Sequence, residues 1–184
     1  PSELALNYDT LLQFSIAGIG AYLCARNFGL SKLPSFVSAF SYMFSGFLVA
    51  RVIQLSIMSG AAILPFVILF VDRALYKPTL PNVASAALAI VMQVFTGHPQ
   101  IVVYNALFVG LLGLTRMFEL TSMKGWRKQL FQTFTCLFSI YALAFLLAAV
   151  QLVPWVELAG QSVRSAGASF RFIFGDDVLS NRWL

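Results

Sequence analysis

Residues 130–153 read LFQTFTCLFSIYALAFLLAAVQLV. Not one charged side chain interrupts them, and a helix of this length reaches about 36 Å at 1.5 Å per residue. The hydrocarbon core of a bilayer needs roughly 20 apolar residues to cross it. A soluble domain has no use for so long an uncharged run, so this stretch decides the class: a membrane-crossing α-helix.

Five more apolar runs lie upstream, at residues 11–25 (with a start as early as Leu4 allowed), 34–50, 53–71, 80–96 and 101–115. With 130–153 they make about six spans. The first, fourth and fifth are short for a span and call for tilting, extension by flanking residues or a partly re-entrant path. Composition agrees across the chain. Of its 184 residues 59% are hydrophobic and 10% charged, and 18 are phenylalanine; a soluble domain carries about 25% charge. Mean hydropathy is +0.83. The fold class expected is therefore all-α, a polytopic transmembrane helical bundle.

The breaks between runs have local causes. Asn27-Phe28-Gly29 ends the first helix, with Gly29 as a left-handed cap. Pro34 sits near the start of the second, where a missing N–H costs nothing. Pro78 and Pro81 bracket a loop, and Pro99 opens the fifth helix after Gly97-His98. Pro65 lies inside the third run and is expected to kink it, and Pro154 to end or bend the sixth. Residues 154–184 change character. They read as an extracytoplasmic amphipathic segment or the start of an outer region, set against a transmembrane domain over 1–153.

The net charge of +5 does not indicate nucleic acid, because the basic residues fall in short interruptions between apolar runs. If the chain starts outside, Arg26, Lys32, Arg73, Lys77, Arg116, Lys124, Arg127 and Lys128 all face the cytoplasm. Arg51, Arg164, Arg171 and Arg182 face out. That alternation follows the positive-inside rule and places both ends of the chain outside a bacterial cytoplasmic membrane. The first residue is proline, and 154–184 stops on a polar stretch, so the chain is expected to be an internal piece of a longer polypeptide. Cys24 and Cys136 have no metal spacing and no disulfide framework and are expected to be small buried hydrophobes.

Polar groups at membrane depth are costly and each needs a reason. Inner charges set topology; the outer ones are candidates for a binding site. Gly97-His98-Pro99-Gln100 joins two helices almost without a loop, His98 is the chain's single histidine, and Gln100 and Tyr104 share a helix face. The alternative is a tight turn in which His98 caps a helix and Gln100 bonds a neighbour. Arg51, with Gln54 three residues on, is the basic residue of a short outer loop. It is suited to binding a phosphate through its planar fork, to pairing with Asp9 or Glu157, or to reaching lipid headgroups. Gln151, Pro154, Glu157, Gln161 and Arg164 recur at three- or four-residue spacing. They form either one face of a binding site or an interfacial helix anchored by Trp155. Asp176-Asp177 reads as an exposed turn more readily than as a metal or capping pair. Soluble-enzyme motifs are absent: no phosphate-cradling loop, no nucleophile elbow, no zinc pattern.

One order of signals runs through most of the chain. It is Gly20-x-Tyr22 with Arg26 and Gly29, Phe44-Ser45-Gly46-Phe47, Pro65 with Asp72-Arg73, Gly97-His98-Pro99-Gln100 with Tyr104, then Gln151-Leu-Val-Pro154-Trp-Val-Glu157-Leu with Ser162 and Arg164. It resembles the middle part of the bacterial YfhO family of membrane proteins, which is similar to the GT-C class of membrane glycosyltransferases. The resemblance implies a GT-C-like bundle using a polyprenyl-phosphate sugar, and a place for His98, Gln100, Glu157 and Arg164 on the rim of an outward-facing cavity; with Arg51, Gln54, Tyr104 and Gln151 these are the candidate substrate-binding residues. It carries no catalytic carboxylate onto this chain, since that group belongs to an earlier outer loop, and it implies a divalent metal only in the parent enzyme. The expected partners are membrane lipids, the lipid-linked sugar and other membrane subunits. Competing readings are an accessory or structural subunit of a larger membrane complex and, last, a transporter, which would need paired broken helices at the midplane.

Overall fold

The computed structural model describes the backbone of residues 2–161 and the side chains of residues 4–119 and 125–158. Among the described residues seven helices follow one another: α1 (Ser2–Asn27), α2 (Lys32–Met43), α3 (Gly46–Ala50), α4 (Leu55–Tyr76), α5 (Leu80–Phe95), α6 (Pro99–Lys124) and α7 (Trp126–Gln161). The described residues contain no strand, so the all-α expectation holds. The chain divides into two compact units, Pro1–Ala148 and Ala149–Leu184; of the second, the described part is the last turns of α7.

Each of the six apolar runs is mainly helical, the third from Leu55 rather than Ile53. Among the described residues four stretches are both long and apolar enough to cross a membrane: Lys32–Ala50, Leu55–Tyr76, Pro99–Glu119 and Trp126–Leu158. Of the other two runs, α5 is shorter at 16 residues, and α1 is 26 residues long but opens on polar residues. Boundaries differ from expectation where polar residues continue a helix. The first helix begins at Ser2 rather than near Leu11, and the fifth run extends to Lys124. The second run is split. Ser45 stops α2 and caps α3, its side chain accepting from the Leu48 N–H. Pro154 does not end its helix, which continues to Gln161, and Pro65 sits buried within an unbroken α4.

With α2 and α3 counted as one stretch, helix directions alternate. Phe14 of α1 stacks on Phe44, just past α2, and Met43 crowds Gly18, so these two run antiparallel. Gln93 of α5 meets Gly60 of α4, and Thr133 and Leu137 of α7 meet Gly113 of α6. One end of the first unit therefore gathers the α1–α2 turn at Gly29, the other the α5–α6 turn at Gly97. Both turns need a left-handed residue: Gly29 has φ +87° and Gly97 φ +77°. At Gly29 the Gly29 and Leu30 N–H groups bond back to Arg26 and Ala25 carbonyls, the paired 5→2 and 6→1 bonds of a Schellman cap.

α4 is the hub. It is covered by α1, α5 and α6, and Met58, Ala62, Val67, Val71 and Ala74 are fully enclosed. Small residues allow the close approach: a Cβ on Gly20 of α1 would sit 2.6 Å from the Phe66 ring. α7 shows what surrounds the bundle. Its inward stripe is small or polar, with Gln129, Thr133, Cys136, Ile140, Ala144 and Ala148 buried, while Phe131 is 74% and Phe145 67% exposed. Cys136, as expected, is buried, and Cys24 is half-buried. Large apolar side chains pointing out over small and polar ones pointing in suits a hydrocarbon solvent, where helices gain by backbone approach rather than by hiding oil from water. The surface is compatible with an integral membrane protein.

Candidate functional site

At the Gly97 end, α3, α4, α5 and α6 meet. Thr96 and Ile101 pack on Gly60, where a Cβ would lie 3.2 and 3.0 Å from them. With no side chain there, the Gly60 carbonyl is reachable, and Gln93, fully buried on α5, donates to it at 2.9 Å. The Gln93 amide oxygen accepts in turn from Asn105 Nδ2 of α6. Three helices are thus joined by one chain of amide bonds. Asn105 is 3% exposed, and its Oδ1 is enclosed without a partner among the described residues.

Beside Asn105 lies a pocket of about 330 Å³, walled by Tyr42, Phe47, Leu48, Leu64, Tyr104 and Phe108. Its walls are almost wholly apolar. Tyr42 spends its hydroxyl on the Ala61 carbonyl at 2.8 Å, so it presents ring rather than O–H. Leu48 is held by the core formed with Ala17, Met58, Ala61 and Ala62, and this fixes the short α3 that carries Phe47. Arg51, the C-cap of α3, places its guanidinium 5.9 Å from the Phe47 ring and donates to Gln54 Oε1.

The residues expected at an outer site fall as follows. Arg51 and Gln54 bond each other. Arg51 does not pair with Asp9, which accepts instead from Gln13 at 3.5 Å on its own helix. Tyr104 is exposed and shares a pocket with Phe47, the ring beneath Arg51. His98 is half-buried in the α5–α6 turn, its Nδ1 enclosed with no partner among the described residues. Gln100 is exposed on the first turn of α6. Of these, Tyr104 lines the apolar pocket, while Arg51 and Gln54 lie at the α3–α4 junction and His98 and Gln100 at the α5–α6 turn. Gln151, half-buried, and Glu157, exposed, lie on α7 in the second unit. Arg164, the Gln161 side chain and Asp176-Asp177 lie outside the described residues. Among the described residues no three His, Cys, Asp or Glu side chains come together as a metal site.

Sequence reasoning passed over the densest polar group, at the Gly29 end. Asp72 of α4 is 1% exposed. Its carboxylate accepts from Arg116 Nε of α6 at 2.7 Å and from Asn27 Nδ2 of α1 at 2.6 Å. Arg116 donates as well to Tyr76 Oη at 3.0 Å and to Glu119, and lies 4.8 and 5.3 Å from the Tyr76 and Phe28 rings. Arg73 Nε donates to Asn27 Oδ1 at 3.0 Å. The parallel helices α1, α4 and α6 are thus clamped at one end by a buried ion pair. Reading the inner charges as topology signals alone hid this. The available signal was Asp72 itself, an acid among basic residues at the end of an apolar run.

No known protein family, curated protein or solved structure matches this chain.

Proposed function

We propose that this chain is an integral membrane protein of a bacterial cytoplasmic membrane and forms the helical wall of a GT-C-like glycosyltransferase that uses a polyprenyl-phosphate sugar, with the Gly97 end facing outward. The observation that carries the reading is the apolar pocket of about 330 Å³ beside the Arg51–Phe47 stack. A prenyl chain needs an apolar groove open to lipid, and its phosphate needs a cation at the groove's end. Arg51 supplies a planar, permanently charged fork suited to phosphate oxygens, and Tyr104 a ring on which a sugar face can rest.

In the reaction implied, a carboxylate takes the acceptor's proton as its oxygen attacks the anomeric carbon. The bond from that carbon to the phosphate oxygen breaks, and polyprenyl phosphate leaves carrying the negative charge. Arg51 stabilises that charge as it develops, and Arg164 is a second candidate for the same task. The roles left to Gln54, His98 and Gln100 are hydrogen bonds to sugar hydroxyls.

A second reading, a non-catalytic accessory subunit of a larger membrane assembly, is favoured by one observation. Among the described side chains of the first unit no carboxylate lines this pocket; Asp9 bonds Gln13, and Asp72 and Glu119 face Arg116. A photoreactive polyprenyl-phosphate probe in membranes containing the protein separates the two. The transferase reading expects labelling of the chain that falls on Arg51→Ala and Tyr104→Ala, with loss of sugar transfer on Arg51→Ala and Arg164→Ala. Labelling and transfer that ignore all three substitutions would overturn it.

A further inference from the structure

The Gly29 end holds a second concavity of about 770 Å³, bordered by Asn27, Phe28, Arg73, Tyr76, Lys77 and Arg116. Its charges do not balance locally. Both carboxylates that face it, Asp72 and Glu119, bond to Arg116 through its Nε and Nη1. Arg73 and Lys77, both exposed, are left over. Arg73 commits only Nε, to Asn27 Oδ1. Its two η nitrogens and the Lys77 ammonium have no protein partner among the described residues. Asn27 acts as a positioning residue here. One end of its amide is held by the buried Asp72 and the other end holds Arg73, so the cation is preset rather than free to swing away.

From this geometry we infer a phosphate-anion site formed by Arg73 and Lys77 in the cleft between α1, α4 and α6. The size falls in the range of ligand sites, roughly 300–1,000 Å³. The chemistry matches a phosphate monoester or diester: a planar fork plus a point-charge ammonium on one rim, over a floor in which both carboxylates are already bonded to Arg116, with three cations against two carboxylates in the cleft as a whole. Phe28 and Tyr76, 43% and 48% exposed at the same cleft, add apolar surface of the kind an acyl chain would cover. The same phosphate chemistry arrives from two sources, the headgroup of an anionic phospholipid or a soluble phosphate. The cleft lies at the helix ends opposite the Tyr104 pocket, so its failure would leave the transferase proposal intact.

The test uses the full chain in phosphatidylcholine nanodiscs, with thermal midpoint as readout. One arm adds phosphatidylglycerol to the discs; the other adds inorganic phosphate to the buffer. R73Q/K77Q is compared with R127Q/K128Q, which removes equal charge from the α6–α7 turn and the start of α7. Both pairs are exposed, so neither is expected to unfold the protein. At about 1 kcal/mol per cation, R73Q/K77Q should lose ~tenfold or more in apparent affinity, and R127Q/K128Q little. A shift from phosphatidylglycerol alone, abolished only in R73Q/K77Q, supports the site with lipid as its source. A shift from inorganic phosphate with the same residue dependence supports it with soluble phosphate as the source. Equal shifts in R73Q/K77Q and the parent protein, equal loss in both variants, or no shift with either ligand would overturn it.

Discussion

Replacing Arg116 by methionine is the most informative perturbation of the fold. The substitution keeps much of the length and apolar stem but removes the cation 2.7 Å from Asp72. With Arg116 in place the Asp72 side chain is 2% exposed, so its carboxylate relies on the guanidinium rather than on water. Its carboxylate would keep one neutral donor, Asn27 Nδ2. Removing one member of a buried ion pair costs about 3–5 kcal/mol, because an uncompensated charge stays behind. A neutral interhelical hydrogen bond in a membrane protein averages only about 0.6 kcal/mol and reaches about 1.7. The two accounts are therefore separable by magnitude. The Glu119 contact adds little, since that carboxylate is 55% exposed and exposed pairs are worth about 0–1 kcal/mol; Glu119→Gln is the control. We predict that Arg116→Met lowers stability by about 3 kcal/mol or more. D72N/R116M, which removes both charges, should recover part of that loss. The assay is reversible unfolding in mixed micelles, run as a double-mutant cycle. A loss below about 1 kcal/mol for Arg116→Met, or a double variant no more stable than the single, would refute the buried-pair argument.

Two further substitutions probe the packing. Gln93→Leu breaks the amide chain through the Gly60 carbonyl and Asn105 and should cost about 0.6–1.7 kcal/mol in the same unfolding assay, while Gln129→Leu, whose Oε1 has no partner among the described residues, should cost less. Gly20→Leu drives a side chain into the Phe66 ring, already 2.6 Å from where a Cβ would stand, and should destabilise by about 1–3 kcal/mol through overpacking; the same change at Gly110, where nothing lies within 4 Å, should be tolerated.

The helices were legible because bilayer length and apolar composition constrain each run independently, and because Gly29 and Gly97 mark turns that demand positive φ. Helix ends were less legible. Polar residues such as those after Ser2, or from Arg116 to Lys124, satisfy helical backbone bonds as readily as apolar ones, so hydropathy stops short of the true end. The split at Ser45 was hidden inside FSGF, where a capping serine and a glycine lie within an apolar run. At the candidate site, local pairs were the readable part: Arg51 and Gln54 are three residues apart and do meet. The Asn27–Asp72–Arg116 clamp joins residues 45 and 44 positions apart. No periodicity connects them, and only the alternating helix directions bring the three to one end. Gln93 and Asn105 were passed over for the same reason, each looking like an isolated polar residue in its own run.

The central claim is that the bundle crosses the membrane with its Gly97 end, and the Arg51–Tyr104 pocket, facing out. In a protein freed of its own thiols by C24A/C136A, single cysteines placed by Gln100→Cys and Leu30→Cys report the two ends, both at exposed positions. The measurement is labelling by a membrane-impermeant maleimide in intact cells and after permeabilisation. The account predicts that Gln100→Cys reacts in intact cells and Leu30→Cys only once the membrane is opened; the reverse pattern, or equal labelling of both in intact cells, would contradict it.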